Sequence, residues 1–201
     1  MHKYISLIAL FFLSASCQDF HSAQENNAQH ARLTGDKHHA TTSKELDQLF
    51  AQLKVANNSQ VIRRTQNRIR ALWTDHADAD IDTLMQKGTQ AMYSKDYERA
   101  IALFGQVIQQ KPYFAEGWNK RATVYFVKGN YQASLDDIRE TLKLEERHFG
   151  ALSGMASIYM MRGETSHALQ TYQQIHELIP QLREVNKSIE ELQAYLGYRQ
   201  I

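Results

Sequence analysis

The chain has 201 residues, a formal charge of +1 at neutral pH, and charged residues of both signs making up 22% of it. That is enough chain for one core and one folded domain, and the balanced charge lacks the basic bias of a nucleic-acid binder. A single cysteine excludes an intrachain disulfide, and two prolines among nine glycines argue against a loop-rich fold.

Residues 1–16 read as an export signal. Lys3 supplies a short positive segment, Ile5 to Leu13 is apolar apart from Ser6, and the small residues Ser14, Ala15 and Ser16 follow. The apolar run is too short to span a bilayer comfortably. The sole cysteine, Cys17, comes next, and LSASC at 13–17 resembles the lipobox of bacterial lipoproteins, with Ser14 where most lipoboxes have leucine. That resemblance implies diacylglyceryl transfer to the Cys17 thiol and anchoring by two or three acyl chains, where one would be marginal. Ordinary signal cleavage with a soluble periplasmic product, or an uncleaved anchor, are the alternatives. Gln18 follows, without the aspartate of an inner-membrane retention signal, which leans towards the outer membrane.

Residues 17–41 are polar and nearly free of large apolar side chains. They cannot bury enough surface to offset ordering entropy and are expected to form a flexible tether. Its histidines, His21, His30, His38 and His39, match no compact ligand spacing, so no metal is expected there. A helical hairpin is expected over 42–80. Thr42-Ser43-Lys44-Glu45 has the capping-box pattern, and Leu46, Leu49, Phe50 and Leu53 form a helical stripe. Asn57-Asn58-Ser59 breaks it, and a second helix carries Ile62, Ile69, Leu72 and Trp73 on one side. This pair is expected to cap the stack that follows. Arg63, Arg64, Arg68 and Arg70 make the second helix basic; a solvated face is the plain reading, and contact with anionic lipid headgroups the bolder one. Asp78, Asp80 and Asp82 resemble the opening of a calcium loop, but Thr83 and Thr89 stand where that loop needs glycine and glutamate. Carboxylates favouring a helix N-terminus explain them better.

The next hundred residues repeat. Segments 81–114, 115–148 and 149–182 superpose at a spacing of 34. The fourth place holds Leu84, Trp118 and Leu152; the eighth Gly88, Ala122 and Ala156; the eleventh Ala91, Tyr125 and Tyr159; the twentieth Ala100, Ser134 and Ala168; the twenty-fourth Phe104, Ile138 and Tyr172. Small residues at two places let paired helices cross closely, and large ones fill the layers between pairs. Turns are expected at Lys95-Asp96, Gly129-Asn130 and Gly163-Glu164. Pro112 and Pro180 stop the second helices of the outer two copies; Glu146 replaces proline in the middle, so a softer stop is expected there. This period and pattern resemble the tetratricopeptide repeat (TPR), which implies an all-α solenoid of helix–turn–helix units.

In such a stack the first helix of each unit lines the concave face, with roughly the second, fifth, ninth, twelfth and thirteenth places looking inward. The fifth place holds Met85, Asn119 and Ser153; the ninth Thr89, Thr123 and Ser157; the twelfth Met92, Phe126 and Met160. These nine residues are the candidate partner-binding groove, a hydroxyl ladder beside an apolar one, with Asn119 adding an amide. Met85, Met92, Met160 and Met161 make it adaptable. A peptide or helix from another protein suits it; packing of the methionines and Phe126 between units is the alternative. The carboxylate clamp of TPR co-chaperones is absent, since its places read Met85, Thr89, Lys120, Gly150 and Gly154.

A last amphipathic helix is expected over 181–196, with Val185, Ile189, Leu192 and Leu196 on one face and Gly197 as its stop; residues 183–201 form the capping helix and tail. AEGWNKRATVYF at 115–126 and RHFGALSGM at 147–155 resemble a family of exported bacterial TPR proteins, frequent among alphaproteobacteria. That resemblance implies no enzymatic activity and no assigned ligand. No HExxH, GxSxG or P-loop motif is present, and no cofactor is expected. The expectation is therefore a non-enzymatic adaptor of the cell envelope. A chaperone or assembly factor for an exported client, and a self-associating structural protein, are the alternatives.

Overall fold

The computed structural model describes residues 42–76 and 78–198, so the segments expected to be an export signal and a tether, with Cys17, lie outside the described residues. Contacts divide the chain into two compact units, 1–48 and 49–201. Of the first, the described part is the start of helix α1 (42–55). The second carries the rest of α1 and the helices α2 (Ser59–Thr74), α3 (Ala79–Tyr93), α4 (Tyr97–Gln110), α5 (Ala115–Val127), α6 (Tyr131–Leu144), α7 (Phe149–Met161), α8 (Thr165–Leu178) and α9 (Arg183–Tyr198). The described secondary structure is all-α.

Within the second unit the helices pair as α3–α4, α5–α6 and α7–α8, with α9 against α8. The first helices form an inner layer, α5 approaching both α3 and α7, and each second helix packs on the first helix of the next pair. This is the TPR-type arrangement. The pairing rests on the small residues of the repeat. Ala100, Ser134, Ala156 and Ala168 are fully buried, and the Ser134 hydroxyl crosses from α6 to donate to the Ala122 carbonyl of α5 at 2.8 Å. A Cβ at Gly88 would sit 2.7 Å from the Phe104 ring, so only glycine lets α3 approach α4 this closely.

The three turns inside the pairs share one geometry. In each, the residue after next donates its amide five residues back, Asp96 to Ala91, Asn130 to Tyr125 and Glu164 to Tyr159, at 2.9 Å in all three. The residue between takes positive φ: Lys95 61°, Gly129 81°, Gly163 69°. This is the Schellman motif, which needs a left-handed residue just past the helix. Asp96 and Asn130 then cap the next helix, accepting from Arg99 and Ala133 backbone N–H groups, whereas the longer Glu164 side chain makes no such bond. The turns between pairs also match one another, with Phe114 donating to Lys111, His148 to Glu145 and Leu182 to Ile179. The middle one lacks proline but uses the Glu145 carboxylate, which accepts from the Arg147 backbone and side chain.

Two expectations are corrected. Gly197 does not stop the last helix, which runs on to Tyr198; an exposed glycine in a final turn costs only about 1 kcal/mol. The hairpin does not stack on the end of the first pair. Helix α2 approaches α5 on the inner layer, and its Trp73 reaches the loop before α7. The indole stacks on the His148 ring at 4.2 Å, lies 4.9 Å from Phe149, and donates to Glu145 at 3.4 Å. Arg147 lies over the Phe50 ring at 4.6 Å, and Gln181 donates to the Lys54 carbonyl. Phe50 of α1 and Trp73 of α2 thus pack their rings against the loop between the second and third pairs and the start of α7.

Candidate interaction groove

The inner layer begins from a buried polar core at the N-terminal ends of α5 and α7. His148 is the N-cap of α7; its Nδ1 accepts from the Ala151 backbone at 3.1 Å, so the proton sits on Nε2, which donates to Glu116 at 3.1 Å. Both residues are buried, and Glu116 also holds Lys120 at 3.1 Å and Asn119 at 2.9 Å. Burial pushes the Glu116 carboxyl up, but the His148 hydrogen bond and the neighbouring Lys120 charge outweigh it and hold the group below its ordinary value. On the outer side of α5, Arg121 grips buried Asp137 of α6 with two bonds, 2.7 and 2.8 Å, while its guanidinium lies over Trp118 and Tyr125. The Asp137 hydrogen bonds raise the Arg121 pKa. Before α3, Asp78 is the N-cap, accepting from Asp80 and Ile81 at 3.1 and 3.2 Å and pairing with Lys111 at 3.2 Å. The Ile81 backbone bond is the main cause that lowers its pKa, with Lys111 contributing.

The candidate groove residues fall into three groups. Met85 and Thr89 line an open basin of about 700 Å³ between α3 and α5, together with Thr74, His76, Asp82, Tyr93, Phe114 and Lys120. Asn119, Thr123 and Phe126 line a smaller cleft of about 210 Å³ between α5 and α7. Met92, Ser153, Ser157 and Met160 line neither. Met85 and Met92 pack against the cluster of Ala91, Ala100, Phe104 and Val124, and Phe126 packs against Ala122, Leu135 and Ile138. The hydroxyl ladder is turned onto its own helices. Thr89 donates to Met85, Thr123 to Asn119, Ser153 to Phe149 and Ser157 to Ser153, all at 2.7–2.9 Å. These hydroxyls keep lone pairs for a partner but have spent their hydrogens.

The thirteenth place of each repeat is expected to look inward, and Met161 is named there, but Tyr93 and Val127 are not counted among the groove residues. Tyr93, Val127 and Met161 stand there, one per inner helix, 78%, 52% and 58% exposed, with Met160 beside them. Their signal in the sequence was an apolar residue recurring at an inward-looking place. They are the last residues of α3, α5 and α7, and by repeat register they form an apolar ladder along the C-terminal ends of the inner layer.

No family model matches the chain. A TPR repeat-containing protein of Rhizobium etli is 39% identical over 147 residues, 73% of this chain and 72% of that one. Among solved structures, the first TPR of Spaghetti (RPAP3) bound to an HSP90 peptide has a TM-score of 0.54 at 19% identity, covering 59% of this chain and 97% of its own. The TPR2B domain of yeast Sti1 in its pHsp70 complex has a TM-score of 0.53 at 14% identity, covering 59% and 99%. The two structures share the fold, and the Rhizobium relative shares sequence along most of both chains. The chain belongs to the tetratricopeptide-repeat family.

Proposed function

We propose that this protein is a non-enzymatic interaction scaffold that holds a peptide or helix of another protein along the inner layer of its repeats. The observation that carries the reading is the ladder of Tyr93, Val127 and Met161. Apolar side chains recur there at one place per repeat and stay in water, where a monomer gains nothing from them. Of the structures it resembles, one is a TPR domain bound to an HSP90 peptide and another a TPR domain in a pHsp70 complex, which supports peptide recognition in this fold. The chemistry of the partner differs here, because the fifth and ninth places of the first repeat are Met85 and Thr89 rather than a cationic clamp.

The setting we propose is the bacterial envelope, with the domain tethered through lipidated Cys17. The lipobox-like 13–17 segment supports the anchor, and the Rhizobium relative supports a bacterial setting. Selection of a displayed peptide library on the protein tests the scaffold reading. Peptides of shared sequence should emerge and should bind a Tyr93→Glu/Met161→Glu variant at least tenfold more weakly. Failure to enrich any sequence, or equal binding by the variant, contradicts it. Metabolic labelling with a palmitate analogue tests the anchor, which requires label on the native chain and none on Cys17→Ser.

A further inference from the structure

The second and sixth places of the repeat are Glu116 and Lys120 on α5 but Gly150 and Gly154 on α7. Lys120 is one of the residues lining the α3–α5 basin, whereas the wall that α7 gives to the α5–α7 junction includes the bare backbone of the two glycines. A Cβ on Gly154 would come within 3.3 Å of the Ile138 terminal methyl, and one on Gly150 within 3.3 Å of His148. Glycine therefore lets α7 come close to Ile138 and His148, and beside this contact lies the cleft of about 210 Å³, lined also by Ala122, Phe126, Ile138 and Ala151.

The hydroxyl hydrogens around this cleft are already used. Ser134 donates to Ala122 at 2.8 Å and Thr123 to Asn119 at 2.9 Å. A charged group entering would leave its water for a wall with no counter-ion, at a heavy cost. An apolar group would lose only water it is better without. A cavity of about 150 Å³ admits benzene, so this cleft has room for one leucine, isoleucine, methionine or phenylalanine side chain.

We propose that the α5–α7 cleft is the anchor subsite of the groove and takes a single uncharged apolar side chain of the bound peptide. The proposal deepens the scaffold reading and rests on it for the peptide, while the cleft's own preference can be measured separately. The probes are the N-acetyl methylamides of leucine, phenylalanine, lysine and aspartate, titrated into the full chain with methyl NMR as readout. The leucine and phenylalanine probes should give saturable shifts at Ala122, Ile138 and Ala151, and the lysine and aspartate probes should bind at least tenfold more weakly. Gly154→Leu fills the cleft and should abolish the shifts. Because Ile138 has to yield to it, Thr123→Phe, at an exposed position on the rim, is the second blocking variant. Absence of saturable shifts in the native protein, or shifts that survive Thr123→Phe, overturns the proposal. Selected groove peptides that bind Thr123→Phe as tightly as the native protein would also overturn it and leave the scaffold reading standing. Probe binding without any selectable peptide would do the reverse.

Discussion

Lys95 holds positive φ, 61°, at the place where the two later repeats use glycine. A side chain there pays the left-handed penalty of about 1 kcal/mol, which glycine avoids. Lys95→Gly should therefore stabilise the protein by up to about 1 kcal/mol, offset in part by the freer unfolded chain; a denaturant midpoint that falls would contradict this. Glu116 makes a second residue-scale prediction, with its sign fixed by linkage. Its folded pKa is lowered below 4.5, so its contribution to stability is fully present above that value and is lost as pH falls through the lower folded one. Glu116→Gln should lose stability less steeply than the native protein below about pH 4.5. Parallel acid profiles would show that the His148–Glu116–Lys120 cluster carries no such term. The hydroxyls show where sequence stops at this scale. Thr89, Thr123, Ser153 and Ser157 were legible as an aligned ladder, but a serine that bonds its own helix and one that faces a partner are written identically.

At the scale of elements, the repeat helices and their turns were readable, because every pair solves one packing problem and the solution recurs at 34 residues. Gly88, Ala100, Ser134, Ala156 and Ala168 are buried as their places require. The hairpin was readable as two helices but not in its position. Trp73 meets Glu145, His148 and Phe149, more than seventy residues away, and no local periodicity encodes such a partner. The apolar side of α2 said only that something covers it. Trp73→Ala removes the stack on His148 and leaves a gap beside Phe149. It should cost about 3 kcal/mol and speed amide exchange in α2 while α3 to α8 remain protected. A cost below about 0.5 kcal/mol, typical of plain surface changes, would mean the hairpin is not held through this residue.

At the scale of the molecule, the hairpin divides the inner layer. Its Trp73 covers the N-terminal end of α7 through His148 and Phe149, while Tyr93, Val127 and Met161 stay open at the C-terminal ends. The basin between α3 and α5 and the cleft between α5 and α7 lie on the inner layer as well. A partner is therefore expected to run across the inner helices, touching the ladder and reaching down into these openings, rather than to fill the concave face from edge to edge. The most direct measurement is residue-resolved photocrosslinking of the full chain in intact cells, with a photoreactive residue at 93, 127 or 161 and, as controls, at the exposed positions Gln109 and Gln173 on second helices. One partner protein, crosslinked from all three ladder positions and from neither control, is the predicted result. Crosslinks of equal yield from the control positions, or none from the ladder, would contradict recognition on the inner layer.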